Sequence, residues 1–210
     1  MEKSRVLTVF GTASLRVAPD IAEIQVGVVT EDTSLEQALQ ENSSKMNQVI
    51  NSLLQLGIPE EDIRTTTFRI QPMYDYVDGQ QVFRGYQVTN MVSVRISDIT
   101  QVGLIVDTAV RNGANQISDL NFMLSNPNEI YRAALSEALL DATANAMTLT
   151  NTMQVNMDPI PIRVDELPQS VSPEPRMYSM AEVTSGTPIQ PGEIVVEANI
   201  EAKFQYGSDY

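Results

Sequence analysis

The chain has 210 residues, 42% of them hydrophobic and 19% charged, enough apolar material for a sizeable core without disulfide staples. Its 27 acidic residues outnumber 13 basic ones, for a net charge of -14, and the basic residues are scattered singly. Nucleic acid is therefore not an expected partner, since holding a phosphate backbone takes a cationic surface that releases counterions, and an anionic lipid surface repels the same chain. Cysteine, histidine and tryptophan are absent, which removes thiol nucleophiles, imidazole bases and every zinc site built on Cys or His.

From the amino terminus, Val6 to Val17 and Ile21 to Thr30 predict two strands joined as a long hairpin through Ala18-Pro19-Asp20, with Ala22, Ile24, Val26 and Val28 alternating inward. Thr33-Ser34-Leu35-Glu36 reads as a capping box opening a helix whose apolar positions run from Leu35 and Leu39 through Met46, Val49, Ile50, Leu53 and Leu54. Leu56-Gly57-Ile58-Pro59 ends that helix. A second hairpin turns at Asp78-Gly79, with Phe68, Ile70, Tyr74 and Tyr76 on one face of its first strand. The returning strand is expected to carry Val82, Tyr86, Val88, Val92, Val94 and Ile96 on one face, interrupted by Asn90.

Asp98 caps a short helix bearing Ile99, Val102, Ile105, Val106 and Ala109, stopped by Asn112-Gly113 and followed by a strand from Ile117 to Leu124. Asn126-Pro127 opens a helix with Ala134, Ala138, Ala142 and Ala146 at four-residue spacing, a row that permits close approach to a sheet or another helix. A strand is expected over 160–167. Five prolines then punctuate a connection over 168–192, and the clearest alternation of the chain runs from Ile194 to Phe204. The predicted class is α+β: an antiparallel sheet of long hairpins with helices packed on one side, in one domain spanning residues 1–210 with a loose two-part layout.

No stretch approaches the roughly 18 consecutive apolar residues of a membrane span, so direct membrane insertion is not expected. The opening Met1-Glu2-Lys3-Ser4-Arg5 leads straight into a strand pattern, which implies either a cytoplasmic chain or a mature form relieved of an export signal. No catalytic, cofactor-binding or metal-ligating set emerges. Phe10-Gly11-Thr12-Ala13 lacks the phosphate-loop pattern and reads as a strand glycine under close backbone approach. Ser14, Ser93 and Ser97 have no histidine to activate them. Glu60-Glu61-Asp62 reads as an exposed acidic turn; a hydrolase built on paired carboxylates, with Asp20 and Asp119 as further acids, is a remote alternative. Two places suit an interface instead. One is the second hairpin, with Tyr74, Tyr76, Phe83 and Tyr86; the other is the loop carrying Arg176, Met177, Tyr178 and Met180.

Several runs, taken in order, resemble the SIMPL-domain family. They are Gly11-Thr12-Ala13, Val17-Ala18-Pro19-Asp20-Ile21-Ala22 and Ile24-Gln25-Val26-Gly27-Val28, then Leu56-Gly57-Ile58 with Ile63-Arg64-Thr65. Gly85-Tyr86-Gln87-Val88-Thr89-Asn90, Gly113-Ala114-Asn115-Gln116-Ile117 and Pro188-Ile189-Gln190-Pro191-Gly192-Glu193 complete the set. The resemblance spans Val6 to Phe204 and departs in two places: the export signal usual in bacterial members is not seen at the start, and residues 151–162, after the alanine-rich helix, lack the expected glycines. It implies an α+β domain, commonly exported to the periplasm or cell surface, with members described as oxidative-stress defence or periplasmic immunogenic proteins and a ring-like or channel-like homo-oligomer in the family. It brings no catalytic residues.

The expectation is thus a non-enzymatic envelope or secreted protein working as a homo-oligomeric assembly, with a link to stress defence and no cofactor. The alternative is a monomeric binding module for a cell-wall fragment, peptide or partner protein.

Overall fold

The computed structural model describes residues 5–168 and 187–207. In chain order the elements are β1 (Arg5–Val17), β2 (Ile21–Asp32), α1 (Leu35–Gln55), β3 (Ile63–Val77), β4 (Gln80–Ile96), α2 (Val102–Arg111), β5 (Gln116–Met123), α3 (Pro127–Thr152), β6 (Asn156–Met157), β7 (Arg163–Glu166) and β8 (Ile194–Gly207). They form two compact units, each with its own antiparallel sheet. One sheet has the order β1-β8-β6, with β7 also on β8; the other has the order β3-β4-β2-β5. Each sheet is covered by helices on one face, α3 on the first and α1 with α2 on the second, so the α+β class with helices to one side holds in both.

The first expected hairpin does not form. β1 pairs with β8 along its whole length, from Arg5 opposite Tyr206 to Val17 opposite Ile194. β2 is instead a central strand of the other sheet, flanked by β4 and β5, which leaves it no free edge for β1. Residues 18–20 are a passage between sheets rather than a turn. Proximity in sequence loses here to long-range partners: β8 pairs with β1 along its whole length, and β4 and β5 flank β2 on both sides.

In the β1–β8 unit, Ala134, Ala138, Ala142 and Ala146 are fully buried against Val9, Ala198, Ile200, Ala202 and Phe204. Their small side chains let the helix backbone reach the sheet at Gly11. A Cβ on that residue would stand 2.0 Å from the Ala138 carbonyl oxygen and 2.6 Å from the Ala142 nitrogen. At the same point α3 covers the free edge of β1: the Thr12 amide donates to Asp141 Oδ2 at 2.9 Å, and Asn145 Nδ2 donates to the Phe10 carbonyl at 3.1 Å. Unpaired strand edges invite foreign strands, and these two side chains close the middle of this one. Past α3, Gln154 takes the left-handed conformation (φ 56) where the family resemblance led us to expect glycine.

Strand β7 is tied to α3 by Tyr131, whose hydroxyl donates to Glu166 Oε1 at 2.5 Å. That bond to a carboxylate raises the tyrosine pKa above its ordinary value, with burial and the negative charge adding to the effect. The pair therefore adds stability below the usual tyrosine value of about 10 and loses it as pH rises through the raised one. Absorbance titration should show a late-ionising component in the wild type that moves to lower pH in Glu166→Gln; identical curves would show that the bond is not kept in solution.

The second unit is built on Ala22, Ile24, Val26 and Val28 of β2 with Val92, Val94 and Ile96 of β4, covered by Met46, Val49 and Leu53 of α1 and by Val102, Ile105 and Ala109 of α2. The capping box at the start of α1 is absent. Ser34 is the N-cap and its side chain makes no capping bond; Asp32 Oδ1 instead accepts the Ser34 amide at 2.7 Å. Leu35 and Leu54 are exposed, and the buried stripe runs through Ala38, Asn42, Met46, Val49 and Leu53. Asp98 does cap as expected, accepting from the Thr100 amide and hydroxyl and from Gln101, bonds that hold its carboxyl below the usual range. Asn115 acts as an extra strand residue: its Oδ1 accepts the Val29 amide at 2.8 Å and its Nδ2 donates to the Val29 carbonyl at 2.7 Å, prolonging the β2–β5 ladder.

Candidate functional site

β3 and β4 run 15 and 17 residues, far beyond the usual five or six, and at about 3.3 Å per residue the hairpin is on the order of 50 Å long. Asp78 (φ 50) and Gly79 (φ 78) supply the paired left-handed residues that a two-residue hairpin turn requires. α1 lies against β2 and β4, and the buried part of β4 begins near Val88, so the distal half of the hairpin extends past the helix-covered core.

A β-bulge sorts the side chains of that distal half. Pro72 lies opposite Tyr86, Met73 opposite Gly85 and Tyr74 opposite Phe83, which makes Arg84 the extra residue. Phe83 thereby joins Tyr86 and Tyr74 on one face, and Val82 passes to the other face, opposite Asp75, instead of sharing one with Tyr86 as simple alternation predicts. The bulge is held where the chain passes closest to the end of β2: a Cβ on Gly85 would meet the Asp32 carbonyl oxygen at 2.7 Å.

The resulting surface is two-sided. On its polar side, Gln71 donates to Gln87 at 2.9 Å, Gln87 donates to Glu31 at 2.8 Å, and Arg84 bonds Glu31 at 2.9 Å and approaches Asp75 at 4.0 Å. On its apolar side, Phe83 stacks edge-to-face with Tyr74 (centroids 5.9 Å apart) and with Tyr86 (5.2 Å). Phe68 (54% exposed), Ile70 (40%) and Tyr76 (76%) extend the same surface along β3. An aromatic row of this kind buries large area when covered and ordinarily is not left in water.

Of the residues expected at an interface, Tyr74, Phe83 and Tyr86 are brought together and Tyr76 lies nearer the tip; Arg176, Met177, Tyr178 and Met180 lie outside the described residues. Phe68 and Ile70 belong to the surface without having been singled out for it, although their alternation with Tyr74 and Tyr76 carried the signal. The acidic run Glu60–Asp62 forms a single short turn, with Glu60 and Glu61 exposed and Asp62 half-buried. Among the described residues, no group of three or more acidic side chains is arranged to hold a metal ion.

The chain aligns at 27% identity with the 26 kDa periplasmic immunogenic protein of Brucella melitensis biotype 1, over 95% of this chain and 84% of that protein. A second relative, the uncharacterized protein YggE of Escherichia coli K12, is also 27% identical, over 71% of this chain and 61% of its own length. Residues 7–204 match the family model SIMPL, described as protein of unknown function (DUF541), and the chain belongs to that family.

Proposed function

We propose that this protein is a non-enzymatic component of the cell envelope that works as a homo-oligomer, associating through the apolar face of the β3–β4 hairpin. The observation that carries the reading is the two-sided hairpin itself. Its polar face is locked by hydrogen bonds and an ion pair, while Phe68, Ile70, Tyr74 and Phe83 stand exposed on the other face. The aromatic trio has the amphipathic character favoured at the centre of protein interfaces. The Brucella relative is named a periplasmic protein, which supports a place in the periplasm. Any part in stress defence would then run through the assembly, since the chain has no cysteine for thiol chemistry.

Light scattering behind size exclusion, across a concentration range, tests this. The wild type should form a discrete species well above the 23.2 kDa chain mass, and the double variant Tyr74→Ser/Phe83→Ser should run as a folded monomer by circular dichroism. A wild type that stays monomeric at every concentration would overturn the reading. The tyrosine hydroxyls along the otherwise apolar face would then favour a monomeric module that binds a cell-wall fragment, peptide or partner protein.

A further inference from the structure

We propose that the free edge of β1 beside α3 takes up an extended segment of a different protein as an added strand, a segment with basic and apolar side chains on the side that faces the groove. In an antiparallel ladder the amide and carbonyl of one residue point to the same side, and successive residues point to opposite sides. The Thr12 amide and the Phe10 carbonyl both turn away from β8, toward Asp141 and Asn145 of α3. The register with β8 runs without a bulge from Arg5 to Val17, so the Thr12 carbonyl and both main-chain groups of Ser14 turn the same way. Asp141 and Asn145 stop short of these three groups, and Thr12 and Ser14 are exposed. Strand edges are ordinarily guarded by lysine, proline or a bulge; Thr12-Ala13-Ser14-Leu15 has none of them.

The surroundings of this edge select the occupant. An open groove of about 490 Å³ lies between β1, from Thr12 to Leu15, and Glu137, Leu140, Asp141 and Ala144 of α3. Outward ladder groups along its floor call for an extended main chain, which bonds them while its alternate side chains read the wall. On that wall those side chains meet Leu140, which is 63% exposed, and two carboxylates. No cation lines the groove, and among the described residues neither Glu137 nor Asp141 belongs to an ion pair. A basic residue in the incoming strand supplies the missing charge, and an apolar one covers Leu140. The same electrostatics favour a basic partner over a second copy of this chain, whose net charge is -14. The edge belongs to a different sheet from the β3–β4 hairpin, so the inference does not depend on the self-association proposed above.

A labelled peptide, Thr-Lys-Thr-Leu-Thr-Lys-Thr, tests this on the full chain, because its lysines and leucine share one face of a strand. Fluorescence anisotropy should show saturable binding that weakens with salt. The counterpart Thr-Glu-Thr-Leu-Thr-Glu-Thr should bind at least about tenfold more weakly. Ser14→Pro deletes an outward amide without touching a bond to β8, and should weaken the lysine peptide about tenfold with circular dichroism unchanged. If that variant unfolds, the peptide carries the test: methylating one alternate set of its amides should weaken binding to the wild type similarly, and methylating the other set should not. No saturation by about 1 mM peptide, equal affinity for the two peptides, or indifference to both the proline and the methyl groups overturns the inference. So does a Ser14→Pro variant that changes the chain's own mass in light scattering while binding the peptide unchanged, which assigns the edge to a second copy.

Discussion

Replacing Gly11 with alanine is expected to cost more than about 4 kcal/mol, a range reached only by severe steric or electrostatic faults, and to bring the β1–α3 unit close to unfolding. One methyl group suffices because of what it meets. The added carbon would lie 2.0 Å from the Ala138 carbonyl oxygen, 2.6 Å from the Ala142 nitrogen and 2.7 Å from the Ala142 side chain. The first two atoms belong to the α3 backbone and cannot rotate away. Relief requires the helix to lift from the sheet, which opens the packing of four fully buried alanines at once. Gly27→Ala is the control. There the new carbon would also fall 2.0 Å from an atom, but that atom is the sulfur of Met91, at the end of a flexible side chain. The methionine can swing aside, and the loss of unfolded-chain entropy offsets part of the cost, leaving a destabilisation of about 1 kcal/mol. Denaturant unfolding followed by circular dichroism separates the two. Similar midpoints for both variants would mean that α3 does not approach the sheet as closely as described.

Gly11 and its alanine row also show what the sequence discloses. Four alanines at strict spacing signal close helix packing, and a glycine in an alternating strand signals close backbone approach; both signals are local. The Asp78-Gly79 turn, the Pro127 helix start and the Asp98 cap are legible for the same reason. What escaped were consequences of partners distant in sequence. β1 and β2 read as a hairpin because their only visible neighbours were each other, whereas β8, some 180 residues on, supplies the actual partner of β1. The bulge at Arg84 changes face assignment without changing composition, so simple alternation misplaced Val82. The same limit applies to the surface: Tyr74, Phe83 and Tyr86 stood out as aromatics, but that they gather on an uncovered face depends on where α1 ends its cover.

The second large effect is expected at Asn42, a polar residue on the apolar stripe of α1. Its side chain is fully buried, and Nδ2 donates to two carbonyls on neighbouring strands, Val28 at 2.9 Å and Val88 at 3.1 Å. Close by, the Thr30 hydroxyl donates to the Ala38 carbonyl at 2.7 Å, so α1 is registered on β2 and β4 by polar contacts within its apolar footprint. Asn42→Leu keeps approximate shape and removes the donors, and should cost about 1–3 kcal/mol. Asn42→Asp should cost more at neutral pH, about 3–5 kcal/mol, because it sets an unpaired negative charge against two carbonyl oxygens. The pH dependence distinguishes charge from shape. Burial and the carbonyls raise the folded-state pKa of the introduced carboxyl above its unfolded value of about 4. Below that value the group is protonated in both states and can donate one hydrogen bond, so the variant approaches the stability of the leucine form. As pH rises, the unfolded state ionises first and stability falls until the folded-state pKa is passed. Denaturant unfolding of Asn42→Asp at a series of pH values, with Asn42→Leu alongside to subtract the background titration, should therefore show a deficit that grows from acid to neutral. A deficit independent of pH would mean that the side chain at 42 reaches water, and that apolar packing alone registers α1 on its sheet.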